Sequence, residues 1–230
     1  TNIMSESELK ATAPSTFTDL IKRLNEMEHT VLYYGPASEK ELSAIITNAH
    51  KTSKKLRAVP QNKAYEWTTT PQTEVFIAPY EAKNIYMRML NNSNKPWNVS
   101  EYPLINVFNE YFGGGMNTVV FQELRETRAL AYNAYAMYKR PEYKDDSESF
   151  FTHIISQNDK MSDCLRVFND IVNNMPENEA AFDLAKQSLI KSIQSDRVTR
   201  YGVITRYLRM KQLGLSNDYM QQVYETLPKI

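Results

Sequence analysis

The chain has 230 residues, 42% of them hydrophobic and 23% charged, with 27 Lys+Arg set against 27 Asp+Glu. That length holds one large domain, or one domain with part of another, and a core that needs no disulfide staples. Balanced charge and a densest basic cluster of only Lys54, Lys55 and Arg57 argue against a nucleic-acid or anionic-membrane partner. A single cysteine, Cys164, excludes an internal disulfide, and no apolar run nears the roughly 20 residues that span a bilayer.

The chain opens at Thr1 with the polar stretch TNIMSESELK, which lacks the basic start and apolar run of a signal peptide. It reads as a piece cut from a longer protein. Thr16 is expected to cap an amphipathic helix through Phe17, Leu20, Ile21 and Leu24. Thr30 to Tyr34 (TVLYY) is β-branched and aromatic and stops at Gly35 and Pro36, so it reads as a strand. Ser38 with Glu41 three residues later forms a capping box for a helix through Leu42, Ile45, Ile46 and Ala49. From Lys51 to Glu74 the chain is polar and aperiodic, and 57–74 reads as a linker.

Val75 to Ala78 and Ile85 to Leu90 predict two strands. Pro103 precedes a helix in which Leu104, Val107, Phe108, Tyr111 and Phe112 recur at three-and-four spacing, ending at the triplet Gly113, Gly114 and Gly115. Half of the six glycines sit in that triplet, which marks a helix stop, a close backbone approach or a flexible turn. Val119 to Thr127 predicts a second helix with Val120, Phe121 and Leu124 buried and Arg125 at the edge of the stripe. Arg128 would fall within that stripe, so the helix is expected to end near Thr127 and leave the guanidinium unburied. Leu130 to Tyr138 and Phe150 to Ser156 predict paired strands. In the first, Leu130, Tyr132, Ala134 and Ala136 are expected to share one face. Asp159 is expected to cap a helix carrying Leu165, Phe168, Ile171, Val172 and Met175. A further helix follows Pro176 with Phe182, Ala185, Leu189 and Ile193, and Tyr201 to Leu227 is again helical in period. The resulting fold class is α+β, an antiparallel sheet covered by helices.

Motifs for chemistry are few. His29, His50 and His153 are too far apart in sequence for a local metal site, and there is no H-x-x-E-H, inverted H-x-x-E-H, G-x-S-x-G, P-loop or G-x-G-x-x-G. The expectation is no metal site in this chain, with the histidines at the surface or in the sheet and Cys164 as a packed thiol. A guanidinium, Arg125, and a phenol, Tyr132, can converge across the helix-to-strand turn. On spacing alone such a pair is more often a surface charge and a half-buried ring.

The stretch NVFNEYFGGGMNTVVFQELRETRALAYNAYA, with F-x-x-L-R-x-x-x-x-L-x-Y at Phe121, Leu124, Arg125, Leu130 and Tyr132, resembles the pitrilysin/insulinase family of zinc metallopeptidases, which includes mitochondrial processing peptidase and noncatalytic relatives. In that family two homologous halves close around a chamber; one binds zinc and the other supplies an Arg and a Tyr to the substrate. This chain resembles the non-zinc half. The resemblance implies residues 1–56 as the closing helix-strand-helix of a preceding repeat, 57–74 as linker, and 75–230 as the substrate-binding repeat, truncated before its last strand.

It further implies Arg125 on the substrate backbone and Tyr132 on the scissile carbonyl, with Gly113, Gly114 and Gly115 as a turn or hinge. The chain itself would carry no cofactor, since zinc would sit in the homologous half, in the same or another chain, and the isolated chain would be inactive. The expected partners are a peptide substrate and that zinc-bearing half. A second reading is a noncatalytic scaffold or assembly subunit of the same fold. Ala129 departs from the pattern, standing where the family often has Gly. The resemblance also leads us to expect Val31 to Tyr34 in a vacant strand position of the sheet, within one chain or by exchange in a homodimer. The compartment stays open, with a periplasmic or secreted parent compatible with the sequence.

Overall fold

The computed structural model describes residues 3–61, 68–92 and 94–230; residues 62–67, inside the stretch read as a linker, lie outside the described residues. The chain divides into two compact units, Thr1–Tyr65 and Glu66–Ile230.

The first unit contains α1 (Glu6–Ala11), α2 (Pro14–Arg23) and α3 (Glu39–Ala49). Pro14 starts α2, where its missing N–H costs nothing, and Ala13 is the N-cap; Thr16 therefore lies inside the helix and does not cap it. The stripe Phe17, Leu20, Ile21 and Leu24 forms but is 44–65% exposed. α3 begins as its spacing predicts, with Glu41 N–H donating to Ser38 Oγ and Ser38 N–H donating to the Glu41 carboxylate. No residue of α1, α2 or α3 is buried.

Thr30 to Tyr34 is not a strand: among the described residues it belongs to no ladder. The nearest pairing is an isolated parallel bridge between Met27 and Arg57, closed by Glu28 N–H to the Arg57 carbonyl (2.8 Å) and Arg57 N–H to the Glu26 carbonyl (2.7 Å). Strand propensity records how well a side chain packs on a pleated surface, and the described residues of the first unit form no sheet.

The second unit is α+β as expected. Its sheet has three antiparallel strands, β1 (Asn84–Asn91), β2 (Ala131–Lys139) and β3 (Ser149–Gln157), in the order β1-β3-β2. Val75 to Ala78 is a second correction. It joins no strand, and Val75, Phe76 and Ile77 are 79–88% exposed. Its helices are α4 (Tyr102–Phe112), α5 (Val119–Phe121, continuing as a wider turn over Gln122–Glu126), α6 (Met161–Asn173), α7 (Glu179–Ser195), α8 (Arg200–Gln212) and α9 (Tyr219–Thr226).

One face of the sheet presents Met87, Met89, Ala134, Ala136, Phe150 and Ile154 to Phe112, Val120 and Leu124 and to Cys164, Val167, Phe168 and Ile171 of α6. Asp159 sits in the turn after β3, where Lys160 N–H closes on the Gln157 carbonyl, so Lys160 is the N-cap and no side chain caps α6. The buried stripe of α6 is consequently Met161, Cys164, Val167, Phe168 and Ile171, rotated away from the expected Leu165 and Val172, which are exposed. Cys164 is the packed thiol expected, its Sγ donating to the Leu130 carbonyl at 3.4 Å. The reverse side of α4 packs through Val107 against Val223 and Leu227, flanked by Phe182, Leu189 and Ile193 of α7.

The outer edge of β2 is covered by α4. Ala136 N–H donates to the Gly113 carbonyl at 3.2 Å. The Asn109 amide then serves Tyr138 twice, Oδ1 accepting from its N–H (2.8 Å) and Nδ2 donating to its carbonyl (2.9 Å). An unpaired sheet edge is thus satisfied by one helix end. The approach is so close that a Cβ on Gly113 would stand 2.0 Å from the Ala136 carbonyl oxygen, whereas one on Gly115 would meet nothing within 4 Å. Gly113→Ala is expected to destabilise the fold by about 1–3 kcal/mol or more, and Gly115→Ala to leave it unchanged, in urea or thermal unfolding.

Candidate substrate-binding site

The segment between α4 and β2 is irregular at three successive points, and together they place Arg125 and Tyr132. After one regular turn, the helix from Val119 widens, with Thr127 N–H bonding the Gln122 carbonyl five residues back at 2.8 Å. Such π-type turns insert an extra residue and are frequent at functional sites. Val120, Phe121 and Leu124 point into the core as expected, and Arg125 is half-exposed beside them. The helix ends at Glu126, in agreement with the argument from Arg128, which turns outward to pair with Glu123 and donates to its carbonyl at 3.1 Å.

The second irregularity is Ala129, held at φ +48°. This left-handed residue lets Ala129 N–H reach the Arg125 carbonyl (3.0 Å) and Leu130 N–H the Leu124 carbonyl (2.9 Å), which closes the helix and reverses the chain into β2. Lys160 Nζ bonds the Ala129 carbonyl at 3.2 Å.

The third is a bulge. Ala131 pairs with Ser156 and Asn133 with Ile155, so Tyr132 is the extra residue. This corrects the expected facing. Tyr132 does not share a face with Ala134 and Ala136; those alanines and Ala131 are buried against the helices, while Tyr132 is 73% exposed. A bulge shifts the two-residue alternation on which the expectation rested.

The outcome is a guanidinium and a phenol side by side at the surface. The Arg125 guanidinium carbon lies 5.9 Å from the Tyr132 ring centroid and 4.9 Å from that of Phe121, both within cation–π range. Its ion-pair partner is the neighbouring Glu126, at 3.6 Å. Arg128 is engaged by Glu123, so both arginines of the turn sit beside carboxylates, and Lys160 adds a cation at the Ala129 carbonyl.

Gly113 to Gly115 are not drawn into this cluster. Gly113 lies against Ala136, roughly 13 Å further along β2 than Tyr132. His153 packs in β3, paired across the sheet with Arg88 and Tyr135. Burial, with Arg88 adding to it, holds its imidazole below the ordinary range. Among the described residues no three His, Cys, Asp or Glu side chains converge to hold a metal ion, so these residues do not fit a catalytic zinc centre. No described helix is long and apolar enough to cross a membrane. The sequence reading missed the widened turn, the bulge and the role of Asn109. Neither the five-residue hydrogen bond nor the bulge leaves a spacing signal.

An alanine in left-handed geometry stores strain that glycine would not. Ala129→Gly is expected to stabilise the protein by about 1 kcal/mol, measured by urea unfolding.

The sequence profile of the family described as "Peptidase M16 inactive domain" matches residues 24–189, well over half of the chain. Uncharacterized zinc proteases of Mycobacterium tuberculosis and Mycobacterium bovis are 29% identical to it over 107 residues, 43% of this chain and 24% of each relative. The chain therefore aligns with about a quarter of the length of these curated relatives. Three solved structures share its fold. A peptidase M16 inactive domain from Pseudomonas fluorescens superposes with a TM-score of 0.61 at 15% identity, over 84% of this chain and 45% of that one. The periplasmic protease PqqL from Escherichia coli gives 0.58 at 14%, over 85% and 22%. A conserved protein from Enterococcus faecalis gives 0.65 at 17%, over 97% and 53%. By the profile match, with the fold in agreement, the chain belongs to the peptidase M16 inactive domains, the half-domain of a zinc protease family that carries no zinc motif.

Proposed function

We propose that this chain is the substrate-binding, non-zinc half of a zinc-dependent metalloendopeptidase that cleaves peptides in a two-half chamber. The observation carrying this reading is the convergence of Arg125 and Tyr132, both open to solvent, on a turn built from a widened helix, a left-handed alanine and a bulge. Each irregularity costs stability, and together they present these two side chains.

In the proposal the Arg125 guanidinium, which has no acceptor role and several fixed N–H donors, holds a backbone carbonyl of an extended peptide. The Tyr132 hydroxyl donates to the scissile carbonyl oxygen. A neutral O–H aimed at that atom gains strength as negative charge develops on it, so it favours the transition state over the ground state. Stacking against Arg125 orients the phenol. Zinc and its water belong to a homologous half, in this chain's parent or in a separate chain, and the isolated chain is inactive. Gly113 has a supporting role, fixing α4 on the β2 edge that continues into Tyr132.

In the assembled enzyme, Tyr132→Phe is expected to lower kcat by about 10²–10³, equivalent to roughly 2.7–4 kcal/mol, with a smaller change in KM. The assay is cleavage of a quenched, unstructured peptide by this chain, the zinc-bearing half and their mixture. Activity confined to the mixture, with that loss in the variant, is the expected result. Unchanged turnover in Tyr132→Phe removes Tyr132 from the mechanism, and an inactive zinc-loaded mixture transfers the reading to a noncatalytic scaffold subunit.

We further propose that the chain forms a strand-exchanged homodimer. α4 covers the outer edge of β2, whereas β1 pairs only with β3 among the described strands, and Val31, Tyr33 and Tyr34 are 44–55% exposed in a segment unpaired among the described residues. Val31 to Tyr34 of one copy would lie along β1 of another. Light scattering after size exclusion is expected to show a dimer that Leu32→Pro dissociates. A monomer at every concentration overturns it.

A further inference from the structure

In the first unit two imidazoles meet edge to face. His29 Nε2 lies 2.7 Å from His50 Nε2, with ring centroids 4.8 Å apart and planes at 90°. The other nitrogen of His29, Nδ1, is 2.7 Å from the Met27 carbonyl oxygen. A carbonyl can only accept, so Nδ1 carries the hydrogen and Nε2 presents a lone pair. The contact between the rings is then His50 Nε2–H donating to His29 Nε2.

We propose that His29 and His50 form a binding site for a divalent transition metal of the zinc class, which bridges their Nε2 atoms and takes water at its remaining positions. Three features of the geometry support this. A backbone carbonyl holding Nδ1–H is the arrangement that orients metal-ligating histidines and fixes their tautomer. Two nitrogens on a tetrahedral zinc stand about 3.3 Å apart, so the two must part by about 0.6 Å while each ring turns to aim its Nε2 lone pair at the ion. Both residues are exposed, so that opening meets no packed core. When the metal enters, the His50 Nε2 proton moves to Nδ1 of the same ring, and both imidazoles bind neutral.

Imidazole nitrogen selects zinc, copper and nickel over magnesium and calcium. The site has a structural consequence as well. His29 follows the Met27–Arg57 bridge and His50 is the C-cap of α3, so a shared metal would tie together the ends of the 30–49 segment. That unit buries no side chain in its helices, and a crosslink there adds stability that packing does not supply. The inference does not depend on the peptidase reading.

The test is calorimetric titration of the chelator-stripped full chain with zinc, and with magnesium as the control. One zinc per chain is expected near neutral pH and none from magnesium. His29→Gln and His50→Gln should each weaken zinc binding by roughly tenfold or more, and zinc should slow proteolysis between residues 30 and 49. A readout on the unaltered chain stands beside the variants. Copper should broaden the imidazole NMR signals of His29 and His50 and spare His153. Absence of zinc binding, binding that both substitutions leave intact, or broadening at His153 alone overturns the proposal.

Discussion

The second unit depends on one backbone-to-backbone contact, the seating of the α4 C-terminus on the outer edge of β2. A sheet edge must satisfy its N–H and C=O groups, and here Gly113 and Asn109 do so at Ala136 and Tyr138. The contact needs small residues on both sides. Gly113 has no Cβ to strike the strand, and Ala134 and Ala136 keep the covered face low enough for Phe112, Val120 and Phe168 to close over it. With α4 anchored, its far side is free to carry the second cluster around Val107, Val223 and Leu227. The two cores are thus opposite faces of one helix whose end is pinned to the sheet.

The same anchoring dictates the path from Gly113 to Tyr132. The chain leaves the strand edge, makes the short helix that buries Val120, Phe121 and Leu124, and must re-enter the sheet as β2 alongside its own starting point. A regular helix followed by a regular strand would set Tyr132 on the face of Ala134 and Ala136. The added residue in the helix, the left-handed Ala129 and the bulge absorb the mismatch and deliver the phenol to the surface beside Arg125. Strain and exposure at this point have a common origin in that closure.

The two units contrast in how they are held. The second is a layered structure with buried side chains from β2, β3 and most of its helices. The first has well-formed helix caps and amphipathic stripes but no buried residue in its helices. Capping and propensity suffice to define α3, yet its apolar positions and those of α2 remain uncovered, which is why a strand partner or a metal crosslink has physical room to act there.

Local rules decided what lies within a few residues of each signal. The Ser38–Glu41 capping box, the proline start and glycine stop of α4, the buried trio Val120, Phe121 and Leu124, and the termination before Arg128 all follow from side-chain chemistry at fixed offsets, and the α+β class follows from their order. The motif from Phe121 to Tyr132 likewise marks Arg125 and Tyr132 as candidates from residue type and spacing. Tertiary structure alone decided the rest. TVLYY and VFIA have the composition of strands but join no ladder among the described residues, because a strand exists only where another edge meets it. The stripe of α6 rotated because its start was set by the turn from β3 and not by Asp159. Tyr132 changed face because a bulge, set by the need of β2 to register with β3, has no signature in residue type. Sequence named the candidate side chains, and long-range registry determined where they point.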